Sequence, residues 1–130
     1  MKRRRFILTV LGAWGLPLAG GSAAQAQAKR VILIQESPLA GFQYYDGEAV
    51  WSRLRVGQAL ALVREPVNRH DERAVRIEWQ GYRLGYLPRV ENTAVSQMLD
   101  RGVPLTARIV RLRRSRNPWK RVRLAVEWCG

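Results

Sequence analysis

The run Ala74-Val75-Arg76-Ile77-Glu78-Trp79-Gln80-Gly81-Tyr82-Arg83-Leu84-Gly85-Tyr86-Leu87-Pro88 decides the fold class. In its first six residues Val75, Ile77 and Trp79 alternate with Arg76 and Glu78. That period of two places one face of a strand in a core and the other in water. Gln80-Gly81 supplies a two-residue turn, and Tyr82 to Leu87 returns as a second strand, so the segment reads as a β-hairpin. Pro88 has no N–H to give a ladder and ends the second strand.

Strands extend from this hairpin in both directions. Gln58 to Arg64 alternates, with Leu60 and Leu62 on one face, and stops at Glu65-Pro66. Val31-Ile32-Leu33-Ile34, a short apolar run between Lys29-Arg30 and Ser37-Pro38, predicts a buried first strand. Downstream, Leu105 to Arg113 and Val122 to Trp128 form a second hairpin in which Val122, Leu124, Val126 and Trp128 line one face. One helix is predicted from about Val90 to Arg101. There Val90, Ala94, Val95, Met98 and Leu99 recur at helical spacing and Gly102 provides the stop, so the helix covers an open side of the sheet. Glu48 to Arg55 reads as one helical turn before Gly57. Five to six short strands with one covering α-helix describe a mainly β domain, a small, partly open OB- or SH3-like β-barrel.

The first 28 residues read differently. Lys2-Arg3-Arg4-Arg5 precedes an apolar run from Phe6 to Leu18, and Ala24-Gln25-Ala26 or Ala26-Gln27-Ala28 offers a cleavage site. These are the parts of a signal peptide, too short in its apolar run to span a bilayer. Arg3-Arg4-Arg5-Phe6-Ile7-Leu8 fits a twin-arginine signal, and an ordinary Sec signal fits equally well. The expected organisation is a signal peptide over 1–28 and a barrel domain over 29–130, exported to a periplasmic or secreted location. The chain carries a net charge of +13. Cleavage removes four cations and no acid, leaving 19 cations against 10 acids. So basic a surface points to polyanionic partners: nucleic acid, anionic lipid headgroups or acidic polysaccharide. The single cysteine, Cys129, excludes an internal disulfide.

Much chemistry is missing. The chain has no G-x-x-x-x-G-K-[ST] loop to cradle a nucleotide triphosphate and no G-x-S-x-G elbow. One His and one Cys cannot supply the four ligands of a zinc site. His70-Asp71 are neighbours on a turn, where a general-base pair is rarely held in working orientation. We therefore expect a binding module with no enzymatic activity, no metal, no cofactor and no small-molecule substrate.

Three motifs carry the chemistry that is present. Gly41-Phe42-Gln43-Tyr44-Tyr45-Asp46-Gly47 brings aromatic rings into a loop, and exposed rings stack on the bases of a single strand for about 1–3 kcal/mol each. Phe42 is expected to face the core. Adjacent residues on an extended segment point opposite ways, so at most one of the two tyrosines serves as a platform. Asn68-Arg69-His70-Asp71 has the Asn-x-x-Asp spacing of a self-bonded turn. Closing that turn and touching a ligand are both open to Asn68. Asp71 repels phosphate yet is a good acceptor for a terminal sugar hydroxyl. Leu84-Gly85-Tyr86-Leu87-Pro88 is the third motif.

Together, in this order, the three motifs resemble the HIRAN domain, a module attached to some Swi/Snf-type DNA-repair translocases and also found alone in bacteria. The resemblance covers roughly Val31 to Trp128. It implies the small barrel and binding of single-stranded DNA, with its 3′ end as the finer expectation. It also implies that Tyr44 stacks on a base, that Asp71 accepts the 3′-hydroxyl, that the ring at His70 completes the sandwich and that Arg89 meets the backbone phosphate. The chain departs from the pattern at three places. His70 stands for a second tyrosine, Gln43 for an arginine, and Tyr86 for a histidine, changes that bear on 3′-end specificity but not on the barrel.

The last feature is a basic hairpin carrying Arg108, Arg111, Arg113, Arg114, Arg116, Lys120, Arg121 and Arg123, with Trp119 near its tip. Eight cations in sixteen residues suit a ribbon that tracks phosphates. The same charges would also keep a solvated edge hairpin from aggregating. An alternative function is therefore an exported envelope interaction protein that uses Arg113, Arg114, Arg116 and Trp119 on anionic lipid or polysaccharide.

Overall fold

The computed structural model describes residues 30–130. The signal expected over 1–28 lies outside the described residues. Six antiparallel strands form one sheet: β1 (Val31–Pro38), β2 (Ala59–Glu65), β3 (Ala74–Trp79), β4 (Tyr82–Tyr86), β5 (Leu105–Leu112) and β6 (Val122–Cys129). Their spatial order is β1-β6-β5-β2-β3-β4. Strand β2 is the corner. Its first residues, Ala59 and Leu60, pair with β5, and Ala61 to Glu65 pair with β3.

The sheet curls towards a barrel but no ladder closes it. Just past the end of β1, Ala40 exchanges two backbone hydrogen bonds with Tyr86 of β4, at 2.8 and 2.9 Å. That single bridge is the seam. Gly85 makes the close approach there: its φ is +153°, and a Cβ would stand 2.3 Å from the Ala40 carbonyl oxygen. The β3–β4 turn is as expected from Gln80-Gly81, with both residues at positive φ, the twist-matched form for a two-residue hairpin loop.

The core holds Leu39, Phe42, Ile77, Leu84, Leu87, Ile109, Leu124 and Val126, each at most 2% exposed. Burying each such side chain contributes about 1.5–3 kcal/mol. Val75, Ile77 and Trp79 face inward as their alternation predicts. Of the face expected on β6, Val122, Leu124 and Val126 are buried, and Trp128 is half-buried.

Two helices are short: α1 (Gly47–Val50), continued by a 3₁₀ turn Trp51–Arg53, and α2 (Thr93–Asp100). Helix α2 lies against β2 and β3. Arg64 of β2 fixes it by a two-pronged bond to the Asp100 carboxylate, at 2.8 and 3.1 Å. No described helix is long and apolar enough to cross a membrane.

Two expectations need correction. The first strand is not buried at its start: Val31, Ile32 and Leu33 are 58%, 48% and 53% exposed. The strand runs on to Pro38 at the sheet edge, paired with β6, so of the apolar run Ile34 alone packs partly on the core and full burial comes late, at Ser37 and then Leu39. An apolar run of four carries no alternation and so cannot tell an edge from a core. The predicted helix also starts later. Val90 is 91% exposed on a 3₁₀ turn, Arg89–Glu91, that follows Pro88, and helical phase begins only at Thr93.

Candidate nucleic-acid interface

Where the barrel fails to close, a pocket of about 220 Å³ opens. One wall comes from the seam: Ala40, Tyr45, Tyr86 and Leu87. The other comes from the β2–β3 turn and the start of β3: Asn68, His70, Asp71 and Ala74, with Arg89 at the margin. A second, polar hollow flanks the same turn and shares Asn68, His70, Asp71 and Arg89. The second and third sequence motifs, with Tyr45 of the first, thus converge on one opening.

The turn builds itself. Asn68 Oδ1 accepts the backbone N–H of His70 at 2.8 Å and of Asp71 at 3.1 Å. Asn68 therefore does close its own turn, one of the two roles the spacing left open. Asp71 Oδ1 accepts the Arg73 N–H at 3.0 Å, and its Oδ2 accepts Asn92 Nδ2 at 2.7 Å. A carboxylate offers about four acceptor sites, so Asp71 is held in place with capacity to spare. His70 and Arg89 are exposed.

Beneath the pocket a carboxylate joins the two walls. Glu65 Oε1 accepts Asn68 Nδ2 at 2.9 Å and the Tyr86 hydroxyl at 2.8 Å, and its other oxygen pairs with Arg76. Arg76 in turn bonds Glu78 at 2.6 Å. Burial pushes the Glu65 carboxyl up, but hydrogen bonds from Asn68, Tyr86 and Arg76, with the Arg76 charge, outweigh it and hold the group below the ordinary range. The Tyr86 phenol is pushed up to about 12, first by burial and then by its bond to the Glu65 carboxylate and that group's charge. Absorbance titration of the folded chain at 295 nm should accordingly show one phenol ionising near pH 12. Tyr86→Phe should delete that step, and loss of a step near the ordinary phenol value of about 10 instead would remove the Glu65–Tyr86 bond.

The aromatic loop is a 3₁₀ turn, Phe42–Tyr44, and not an extended segment. Phe42 is fully buried, its ring meeting Trp51 edge-on at 5.8 Å. Tyr45 forms the pocket wall, 5.8 Å from the Tyr86 ring and beneath Arg83 at 5.1 Å. Tyr44 lies outside that wall and is 76% exposed, and Gln43 is exposed beside it. Both tyrosine rings fold over Gly41, whose φ of +78° makes the turn.

Sequence reasoning missed Tyr45 as a lining residue, and missed Glu65 and Asn92 entirely. Asn92 is fully buried, and its Oδ1 finds no donor among the described residues. Its only signal in the sequence was its place at the start of α2. The basic hairpin lies apart from the pocket lining: Arg113, Arg114, Arg116 and Trp119 are exposed on the β5–β6 connection. Among the described residues no three His, Cys, Asp or Glu side chains gather as a cation site.

Comparison with known proteins places this fold. The family model of the HIRAN domain matches residues 32–128. A crystal structure of a protein from Lactobacillus plantarum is similar with a TM-score of 0.68 at 24% identity, covering 79% of this chain and 99% of that one. The crystal structure of the HIRAN domain of human HLTF is similar with a TM-score of 0.60 at 19% identity, covering 77% of this chain and 79% of that one. No curated protein sequence matches the chain. With nearly all of the described barrel inside the family match, the chain belongs to the HIRAN family of nucleic-acid-binding modules.

Proposed function

We propose that the domain is a non-enzymatic module that binds single-stranded DNA and seats a 3′-terminal nucleotide in the seam pocket. The observation that carries this reading is the pairing of rings with one oriented carboxylate. Tyr45, Tyr86 and His70 line the same opening as Asp71. Rings accept any base face without sequence preference. Asp71, gripped by Asn92 and the Arg73 N–H, can accept a hydrogen bond from a hydroxyl and repels a further phosphate. Arg89 at the margin supplies a cation for the last phosphodiester. With the signal expected over 1–28, this binding would follow export and meet strands outside the cytoplasm.

The test is a titration of the chain with labelled single strands ending in a 3′-hydroxyl or a 3′-phosphate, at two salt concentrations. We expect at least tenfold tighter binding to the free hydroxyl, on the order of the discrimination a lost charged hydrogen bond gives, and loss of that preference in Asp71→Asn. Equal affinity for both ends would remove the terminal hydroxyl from the reading and leave a general single-strand binder.

A further inference from the structure

We propose that the tip of the β5–β6 hairpin continues the pocket as a second contact segment, so that the domain holds a run of several nucleotides. The inference rests on the single-strand reading above and adds to it a path and a length. The 3₁₀ turn Pro118–Lys120 at the tip packs against the turn Phe42–Tyr44. Arg121 pins the joint. Its guanidinium pairs with Glu48 at the start of α1, donates to the Ser115 carbonyl at 2.7 Å and lies 5.7 Å from the Phe42 ring. Asn117 Oδ1 accepts the Trp119 N–H at 3.1 Å and sets the turn itself. Two exposed rings consequently stand on adjoining, braced elements: Tyr44 at 76% and Trp119 at 49%. Tyr45, next to Tyr44, is already in the pocket wall.

The charges divide in the same sense. Arg108, Arg121 and Arg123 are paired with Glu127, Glu48 and Glu36. Arg111, Arg113, Arg116 and Lys120 have no carboxylate within ion-pair distance among the described residues. Edge protection does not account for the last two of these. Arg116 and Lys120 lie beyond the last backbone pairing of the hairpin, the Arg113 N–H on the Arg121 carbonyl at 2.9 Å, where no strand edge remains to guard. Stacking rings interleaved with uncompensated cations are the two components of a single-strand track.

The experiment measures fluorescence anisotropy of the full chain with a thymidine trimer and a thymidine dodecamer. The dodecamer should bind more tightly. Trp119→Ala should weaken the dodecamer by about 5- to 150-fold, the range for one lost stacked base, and leave the trimer within about twofold. Arg113→Gln with Arg116→Gln should flatten the log–log salt dependence of dodecamer binding by about 1.4, at about 0.7 per phosphate contact. Asp71→Ala, a pocket change, should weaken both lengths alike. Equal affinity of the wild-type chain for both lengths, or equal weakening of both by Trp119→Ala, overturns the second segment while sparing the pocket. Binding to neither length overturns both. If the tip variants abolish binding to phosphatidylglycerol vesicles yet keep dodecamer affinity, the tip faces lipid and the inference fails.

Discussion

Gly85→Ala is expected to unfold the domain at a temperature roughly 15–30 °C lower than the parent chain. Two effects add. At φ +153° an L side chain is strained, which costs about 1–3 kcal/mol. The new methyl would also stand 2.3 Å from the Ala40 carbonyl oxygen and 3.2 Å from Leu39 Cγ. The oxygen belongs to backbone and cannot swing away, so the overlap costs a further 1–3 kcal/mol or so. The mid-range total of about 4 kcal/mol converts, at about 4–8 °C per kcal/mol for a domain of this size, to roughly 15–30 °C. Gly57→Ala is the control. Its φ is +95° with nothing within 4 Å, so it carries conformational strain alone. Differential scanning calorimetry of the two variants checks the argument. Equal losses would mean that the close approach at the seam contributes nothing.

The second large effect is expected at Glu65. This carboxylate accepts from Asn68 on one wall and Tyr86 on the other, and neutralises Arg76 between them. Removing one partner of a fully buried pair costs about 3–5 kcal/mol because a charge is stranded. The Glu65 and Arg76 side chains keep 18% and 22% exposure, and Arg76 retains Glu78, so about 2–4 kcal/mol is expected for Glu65→Ala. Chemical denaturation measures this loss. Nucleotide affinity should fall with it, since the Asn68 turn and Tyr86 lose their common tie.

The pH dependence has a defined sign at each end. Because the folded Glu65 is more acidic than an ordinary glutamate, its contribution is complete above about pH 4.3. It is lost as the pH falls through the depressed folded value. Tyr86 is shifted the other way. Its contribution is complete below about pH 10 and is lost as the pH rises towards about 12. Stability should therefore form a plateau between these limits, and Glu65→Ala should remove the acid shoulder and weaken the alkaline one.

The parts legible in the sequence were those with a local period or a self-contained turn. Val75, Ile77 and Trp79 announce their strand because alternation with Arg76 and Glu78 leaves no other arrangement, and Gln80-Gly81 suits only a tight reversal. Asn68 to Asp71 were legible for the same reason, since their bonds run within four residues. What stayed hidden depends on the third dimension. Asn92 reaches the site through a contact 21 residues away, to Asp71, and Glu65 ties its near neighbour Asn68 to Tyr86 across the same span. Choosing between Tyr44 and Tyr45 assumed an extended segment. The 3₁₀ turn instead sends Tyr45 into the wall and leaves Tyr44 in solvent. Edge position misled the reading of Val31 to Leu33, because neighbours in the sheet are assigned by topology and not by composition.

The bridge between Ala40 and Tyr86 carries a thermodynamic consequence. A single bridge of two peptide hydrogen bonds joins the ends of the curled sheet among the described residues, so whatever fills the adjoining opening staples segments distant along the chain. Occupancy and global stability are then linked, with a gain of about 2.7 kcal/mol when the occupant is present at a hundredfold excess over its Kd. A thermal-shift screen can thus recognise the natural guest of this domain without any prior assumption about its chemistry.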